Sequence, residues 1–306
     1  MVCTKKAFFG NKTNNQTFID ALSSFLTQRD IRCNHAAGDT DLPLILDVID
    51  TAASFETIVH GEDTDLLILL LNLTKSDLKR ITLKPHHRKA SKKKAKVWPI
   101  QEAQGELGPE LCRRLPFCHA ISGCDMTSRP FGIGKSSVIS KLIKDPALGR
   151  CADVFMLPES TTDEIIQAGD VSMRLIFGGS SVNTLGELRY REYKKKVLKG
   201  NKAVKAQVLP PSHGSNKQHS LRTFHQCMTW MSVQLPPSEY GFKNSNGRLR
   251  AIITEDAPAP LELLKTISCN CATQCADRKC SFRKNGLKCT ELCGKCEGIA
   301  CQNSLD

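Results

Sequence analysis

The chain has no run of about 18 apolar residues, so it holds no segment built to cross a bilayer as a helix. Its N-terminus, MVCTKKAFFGN, places charge where a secretory signal needs a long apolar core. No basic amphipathic helix stands out, which ranks a membrane surface well below other partners, and no long internal repeat is visible. Acidic residues are the minority charge. There are 43 Lys and Arg against 31 Asp and Glu, a formal net charge of +12 and a pI of about 9.1. That balance favours a polyanionic partner, nucleic acid first. A cytosolic or nuclear protein without membrane attachment is expected.

What is present divides unevenly. A chain of 306 residues with 40% hydrophobic content can bury one sizeable core and carry a smaller module. It has 15 cysteines, and eight of them crowd between Cys269 and Cys301. In a reducing compartment such crowding reads as metal binding rather than disulfide pairing. So short a segment has little room for an apolar core, and thiolate–zinc bonds can replace one. The candidate ligands are Cys269, Cys271, Cys275, Cys280, Cys289, Cys293, Cys296 and Cys301.

Along the chain, Phe18, Ile19, Leu22, Phe25 and Leu26 fall on one face of a helix within 14–29. A short strand is expected at Ile31–His35, then a helix opened by Gly38-Asp39-Thr40-Asp41 and a strand at Glu56–His60. Asp39 and Asp41 suit helix capping. Leu66–Leu71, an apolar run bounded by charge, reads as a buried strand of an α/β sheet. Asp63 and Asp65 at its mouth suit either a surface turn or a shared cation. Residues 84–96 are strongly basic and read as a solvated loop, with nuclear import or phosphate contact as functional readings. Gly132-Ile133-Gly134-Lys135 precedes a helix. A P-loop there fails because Arg129 stands where that pattern requires glycine. The expected division is a core at 1–150, a helical extension at 151–208, a linker and helix at 209–267, with 209–220 as the linker, and a cysteine module at 268–303.

Three blocks in register resemble the internal half of a flap-endonuclease-type 5′ nuclease of the PIN-like superfamily. They are Gly38-Asp39-Thr40-Asp41, Glu62-Asp63-Thr64-Asp65-Leu66, and Gly123-Cys124-Asp125 followed by Gly132-Ile133-Gly134-Lys135. The resemblance implies a three-layer α/β core with a mostly parallel sheet and a helix-turn-helix element. It also implies an oxygen-ligand Mg²⁺ or Mn²⁺ site for phosphodiester hydrolysis, lined by Asp39, Asp41, Asp63, Asp65 and Asp125. Gly132, Gly134 and Lys135 would grip duplex backbone. The family's N-terminal carboxylate block has no counterpart here, so a fragment or a derivative with an incomplete site is expected.

The C-terminal pattern resembles the tesmin-type CXC domain, whose members hold three zinc ions with nine cysteines and bind DNA. Phe282 replaces one expected cysteine, and Lys279 stands where some members carry a DNA-inserting tyrosine. Arg278, Lys279, Arg283, Lys284 and Lys288 would contact phosphate. A nuclear DNA-binding protein with an endonuclease-like core is the resulting expectation. The alternative is a non-catalytic DNA-binding protein with a degenerate nuclease fold.

Overall fold

The computed structural model describes residues 4–36, 39–85, 96–179, 182–198, 205–256, 269–271, 274–290, 293–299 and 301–304. The chain is mixed α/β, rich in helix, with a small cysteine-rich cluster. It falls into two compact units, Met1–Cys112 and Arg113–Asp306.

The first unit runs α1 (Lys5–Gly10), α2 (Lys12–Thr27), α3 (Asp41–Ala52), β1 (Thr57–His60), α4 (Thr64–Leu73), β2 (Ile81–Lys84), β3 (Trp98–Pro99) and α5 (Ile100–Leu107). The sheet order is β1-β2-β3. β1 and β2 are parallel, with Thr57 opposite Ile81 and His60 opposite Lys84, whereas β2 and β3 are antiparallel. One of the two pairings is thus parallel. A parallel pair needs a crossover, and α4 provides it. The run Leu66–Leu71 is therefore helix and not the expected strand. Leucine is a strong helix former, and the Asp63 carboxylate caps the first turn by accepting the Asp65 N–H. A helix this apolar is buried over most of its surface, with Leu66, Ile68, Leu69, Leu70 and Leu71 inside. Leu69 and Leu70 have no exposure, and neither do Ile45, Ala52, Ile81 and Ile100 of the same unit.

Two further expectations change here. Residues 31–35 form no strand. Helix α2 has the expected apolar face, but none of its residues is buried: Phe18 is 47% exposed and Phe25 50%.

The boundary between the units falls, in sequence, within helix α6 (Pro109–Ser122). Pro116 within it lacks the N–H that would bond the Cys112 carbonyl. The Asn72 side chain donates to that carbonyl instead, at 3.4 Å.

The second unit continues with α7 (Lys135–Lys144), α8 (Pro146–Phe155), α9 (Thr162–Ile176), α10 (Leu185–Leu198) and α11 (His213–Trp230). A hairpin follows, β4 (Phe242–Ser245) and β5 (Arg248–Ala251), turned by Asn246-Gly247 with both φ angles positive. Then comes one helical turn, α12 (Ser281–Lys284). Helices α9 and α11 pack at the centre. Gly169 permits their approach, since a Cβ there would meet Ser220 Oγ at 1.9 Å. Helix α11 is polar yet buried along most of its length. Ser212 caps it, so residues 213–220, expected as linker, form its first two turns. Among the described residues no helix is long and apolar enough to cross a membrane.

Candidate metal centre and nucleic-acid interface

The tail is folded around sulfur. A parallel bridge joins Cys269 to Cys293, and Gly294 N–H donates to the Cys269 carbonyl at 2.8 Å. Cys280 leads into α12, and the Cys289 N–H donates to the Asn303 carbonyl at 2.9 Å, drawing the C-terminal end back on the cluster. Cys275, Cys280, Cys293 and Phe282 have no exposed surface.

The described cysteines are free thiols. Their ligand atoms form two groups that could hold a metal ion, Cys275/Cys289/Cys293/Cys296 and Cys269/Cys271/Cys280. Sulfur separations are 3.5 Å for Cys271–Cys275 and 3.7 Å for Cys275–Cys293, Cys275–Cys296 and Cys280–Cys289. A disulfide would bring the atoms to about 2.0 Å. Four sulfurs about 2.3 Å from one zinc stand about 3.8 Å apart along the edges of the tetrahedron. The tail has the second spacing. Two of these contacts, Cys271–Cys275 and Cys280–Cys289, run from one group to the other. The first group offers the four sulfurs that a tetrahedral ion takes, and the second offers three, with thiols of the first group in contact with it.

The electrostatics favour anionic sulfur at selected positions. Burial opposes the Cys293 thiolate, but the N–H groups of Lys295 and Cys296 and the Cys296 and Cys275 thiols outweigh it, holding that thiol at about 6. Burial and neighbouring thiols push Cys275 well up, and burial pushes Cys289 up to about 12 despite the Asn303 side chain. Crowded thiols cannot all ionise without a cation among them. Cys269 and Cys301 receive N–H···S bonds from Ser281 at 3.2 Å and Asn303 at 3.3 Å. Asn303 also donates its side-chain amide to the Leu287 carbonyl and to Cys289 Sγ, at 2.8 and 3.4 Å. In the sequence it only closes the cysteine pattern; the structure makes it a brace for the ligands. Phe282, at the position where the resemblance expects a cysteine, is fully buried as part of the cluster.

Among the tail's basic residues Arg278, Lys279, Lys284, Lys288 and Lys295 are exposed, and Arg283 is half-buried. Arg283 donates to the Cys275 carbonyl at 3.0 Å and to Ala276, and Lys288 to the Ser304 carbonyl at 3.0 Å. These two hold the tail's backbone together.

The five aspartates stand as follows. Asp39 Oδ1 accepts the Asp41 N–H at 3.2 Å at the start of α3, and Asp63 Oδ1 accepts the Asp65 N–H at 3.1 Å at the start of α4. Asp41 and Asp65 occupy first turns, where the helix dipole favours a negative charge. Asp125 lies exposed in the loop after α6. Among the described residues, every group of three or more ligand side chains close enough to share an ion is made of cysteine.

The turn before α7 is built tightly. Gly123 has φ 108°, and a Cβ there would sit 2.7 Å from Arg129 Cα, so only glycine fits. Gly132 also has positive φ, and Gly134 is the N-cap of α7. Lys135 does not simply project outward: its Nζ donates to His119 Nε2 at 3.0 Å. His119 is buried on α6 against Trp230, with ring centroids 5.6 Å apart. Nothing in the sequence pairs His119 with Lys135, which stand on successive helices.

The paired His86-His87 and the basic residues Lys92, Lys93 and Lys94 lie outside the described residues; Lys96 packs over Trp98, 3.7 Å from the ring centroid. No protein-family model, curated protein or solved structure matches the chain.

Proposed function

We propose that this chain is a nuclear, zinc-stabilised DNA-binding protein. The observation that carries this reading is the convergence of seven tail thiols, at sulfur spacings suited to tetrahedral zinc, beside three exposed cations on α12 and the turn leading to it. Two zinc ions fit the two groups, with a shared thiolate in place of the ninth cysteine of tesmin-type domains. Zinc orders the loop, and the ordered loop offers Arg278, Lys279 and Lys284 to phosphate. The core is then a degenerate relative of the 5′-nuclease fold whose aspartates serve as helix caps.

A second reading keeps the chemistry, as a Mg²⁺- or Mn²⁺-dependent endonuclease. It is favoured by the two Asp-Thr-Asp turns, which head the neighbouring helices α3 and α4 on either side of β1.

The test uses the full chain. Elemental analysis should give two zinc ions per chain. Binding to a labelled duplex should weaken steeply between about 50 and 200 mM salt, and replacing Arg278, Lys279 and Lys284 by Gln should flatten that slope. A metal-free tail, or a slope unchanged by the triple substitution, would remove the proposal. Cleavage of a labelled flap in Mn²⁺ would move the assignment to the second reading.

A further inference from the structure

The second unit contains a cavity of about 360 Å³ that plays no part in the reading above. It lies against α9, α10 and α11, with the 128–131 loop and Ile253 on its rim. Three arginines line it, Arg129, Arg189 and Arg222, together with His219, and among the described residues no Asp or Glu does.

Arg222 is the decisive residue. It is only 2% exposed, and a guanidinium stays charged even there. Its Nη1 donates to the Gly241 and Ile252 carbonyls at 3.2 and 2.6 Å. Among the described residues no carboxylate pairs with it. Arg189, half-buried, donates to the Pro210 carbonyl, and among the described residues no carboxylate pairs with it either. Burial lowers the pKa of both. Two desolvated cations facing one cavity without a counter-charge are costly. An anion held between them offsets that cost.

His219 adds a different capability. Its Nε2–H donates to the Ile121 carbonyl at 3.0 Å, which leaves Nδ1 as an acceptor for a hydroxyl. Met173, Phe177, Leu209 and Ile253 make an apolar side of the wall, Ser128, Gln207, Ser212 and Ser215 add polar lining, and Phe131 is 58% exposed. Such a wall takes a flat organic body and not a bare ion. The volume falls within the usual range for small-molecule sites, about 300–1,000 Å³.

We propose that this cavity binds a small phosphate monoester with an aromatic body, of mononucleotide size. The phosphate would sit between the guanidinium groups, whose forked donors suit it, and a dianion answers several cations better than a monocarboxylate does. The ring would lie against Phe177 and Phe131.

The experiment is calorimetric titration of the full chain with adenosine monophosphate, in parallel with adenosine and with inorganic phosphate. Saturable binding of the monophosphate is expected, with adenosine and inorganic phosphate each weaker by at least about tenfold. Arg222 braces two carbonyls, so the first variant is Arg129→Gln, on an exposed residue, and the second Arg189→Gln. Each should weaken the monophosphate by about tenfold or more, as loss of a charged hydrogen bond does, with zinc content and duplex affinity unchanged. No saturable binding of the monophosphate would overturn the proposal. So would inorganic phosphate binding as tightly, or indifference to both substitutions. A 5′-phosphorylated oligonucleotide competing at equal concentration would assign the site to strand ends and overturn the small-molecule reading. Zinc binding and duplex affinity are read separately, so this site and the tail fail independently.

Discussion

Helix α4 and the cysteine tail reach the same end, complete burial, by opposite chemistry. Leu69 and Leu70 lose all their exposure to other hydrocarbon. Cys275, Cys280 and Cys293 lose all theirs mainly to other sulfur. Hydrocarbon burial is favourable in water without further conditions. Sulfur burial at these spacings is conditional, because the thiols must be deprotonated and a cation must hold them together. The first unit therefore contains its own stability, whereas the proposed zinc would make the tail's stability depend on a metal ion.

The largest expected effect separates the two outright. Chelation of the full chain at neutral pH should release the tail and leave α4 intact. Hydrogen exchange reads this directly. The amides of Cys289, Gly294 and Glu297, now bonded to carbonyls of the tail, should exchange at unprotected rates, while those of α4 keep their protection. Continued protection of the tail after metal removal would show that its core does not need the ion. The complementary change is Leu69→Ala, which should cost about 2–5 kcal/mol by urea unfolding of the first unit and leave zinc content unaltered.

The same contrast explains what could be read from the sequence. The cysteine cluster was legible because ligand spacing is local and thiol chemistry has few alternatives. The apolar run at 66–71 was legible as core but not as helix: both a buried strand and a buried helix are continuous apolar runs, and only the crossover demanded by β1 and β2 decides between them. Helices α2 and α11 invert the usual relation of hydropathy to burial. The apolar face of α2, with Phe18 and Phe25, stays half exposed, whereas the polar stretch from His213 to Ser220 is mostly buried. Its polar groups find partners distant in sequence: Asn216 donates to Asp170, Gln218 to Glu255, and His219 to the Ile121 carbonyl. Composition carries no record of such partners, so those residues resemble a linker. The aspartates of the first two blocks were legible as pairs, but capping and metal binding favour the same Asp-x-Asp pattern at a helix start.

Helix α11 gives a stability that depends on pH, unlike that of α4. Burial holds His219 at about 4, below the ordinary histidine value. The unfolded chain therefore binds a proton in the range where the folded chain does not. Stability from this residue is fully present above about pH 6.5 and is lost as pH falls towards 4, by about 3 kcal/mol in all. Urea midpoints of the second unit at pH 7 and pH 5 should show the loss. His219→Gln keeps an N–H donor for the Ile121 carbonyl and should flatten the dependence. An unchanged slope in that variant would assign the acid sensitivity to another group, of which His225, lowered by burial and bonded to the Leu235 carbonyl, is the nearest in kind.

The smallest effect tests whether α4 is wholly independent of ions. If Asp63 is only a cap, its value lies in the oxygen that accepts the Asp65 N–H. Asp63→Ala should then cost about 1 kcal/mol, and Asp63→Asn, which keeps an acceptor oxygen, should recover most of it. Mn²⁺ should leave the melting temperature of the wild type and both variants unchanged. Metal binding predicts a different order. Mn²⁺ would raise the wild-type melting temperature by linkage, and both substitutions would abolish that rise. In the absence of metal, Asp63→Asn would relieve repulsion from Asp65 and be neutral or stabilising. Thermal melts of the three proteins with and without Mn²⁺ therefore separate the readings by pattern, even though the capping loss is small. A metal-dependent rise removed by Asp63→Asn would make the first unit conditional on an ion as well, and the contrast between α4 and the tail would become one of ligand type, oxygen against sulfur.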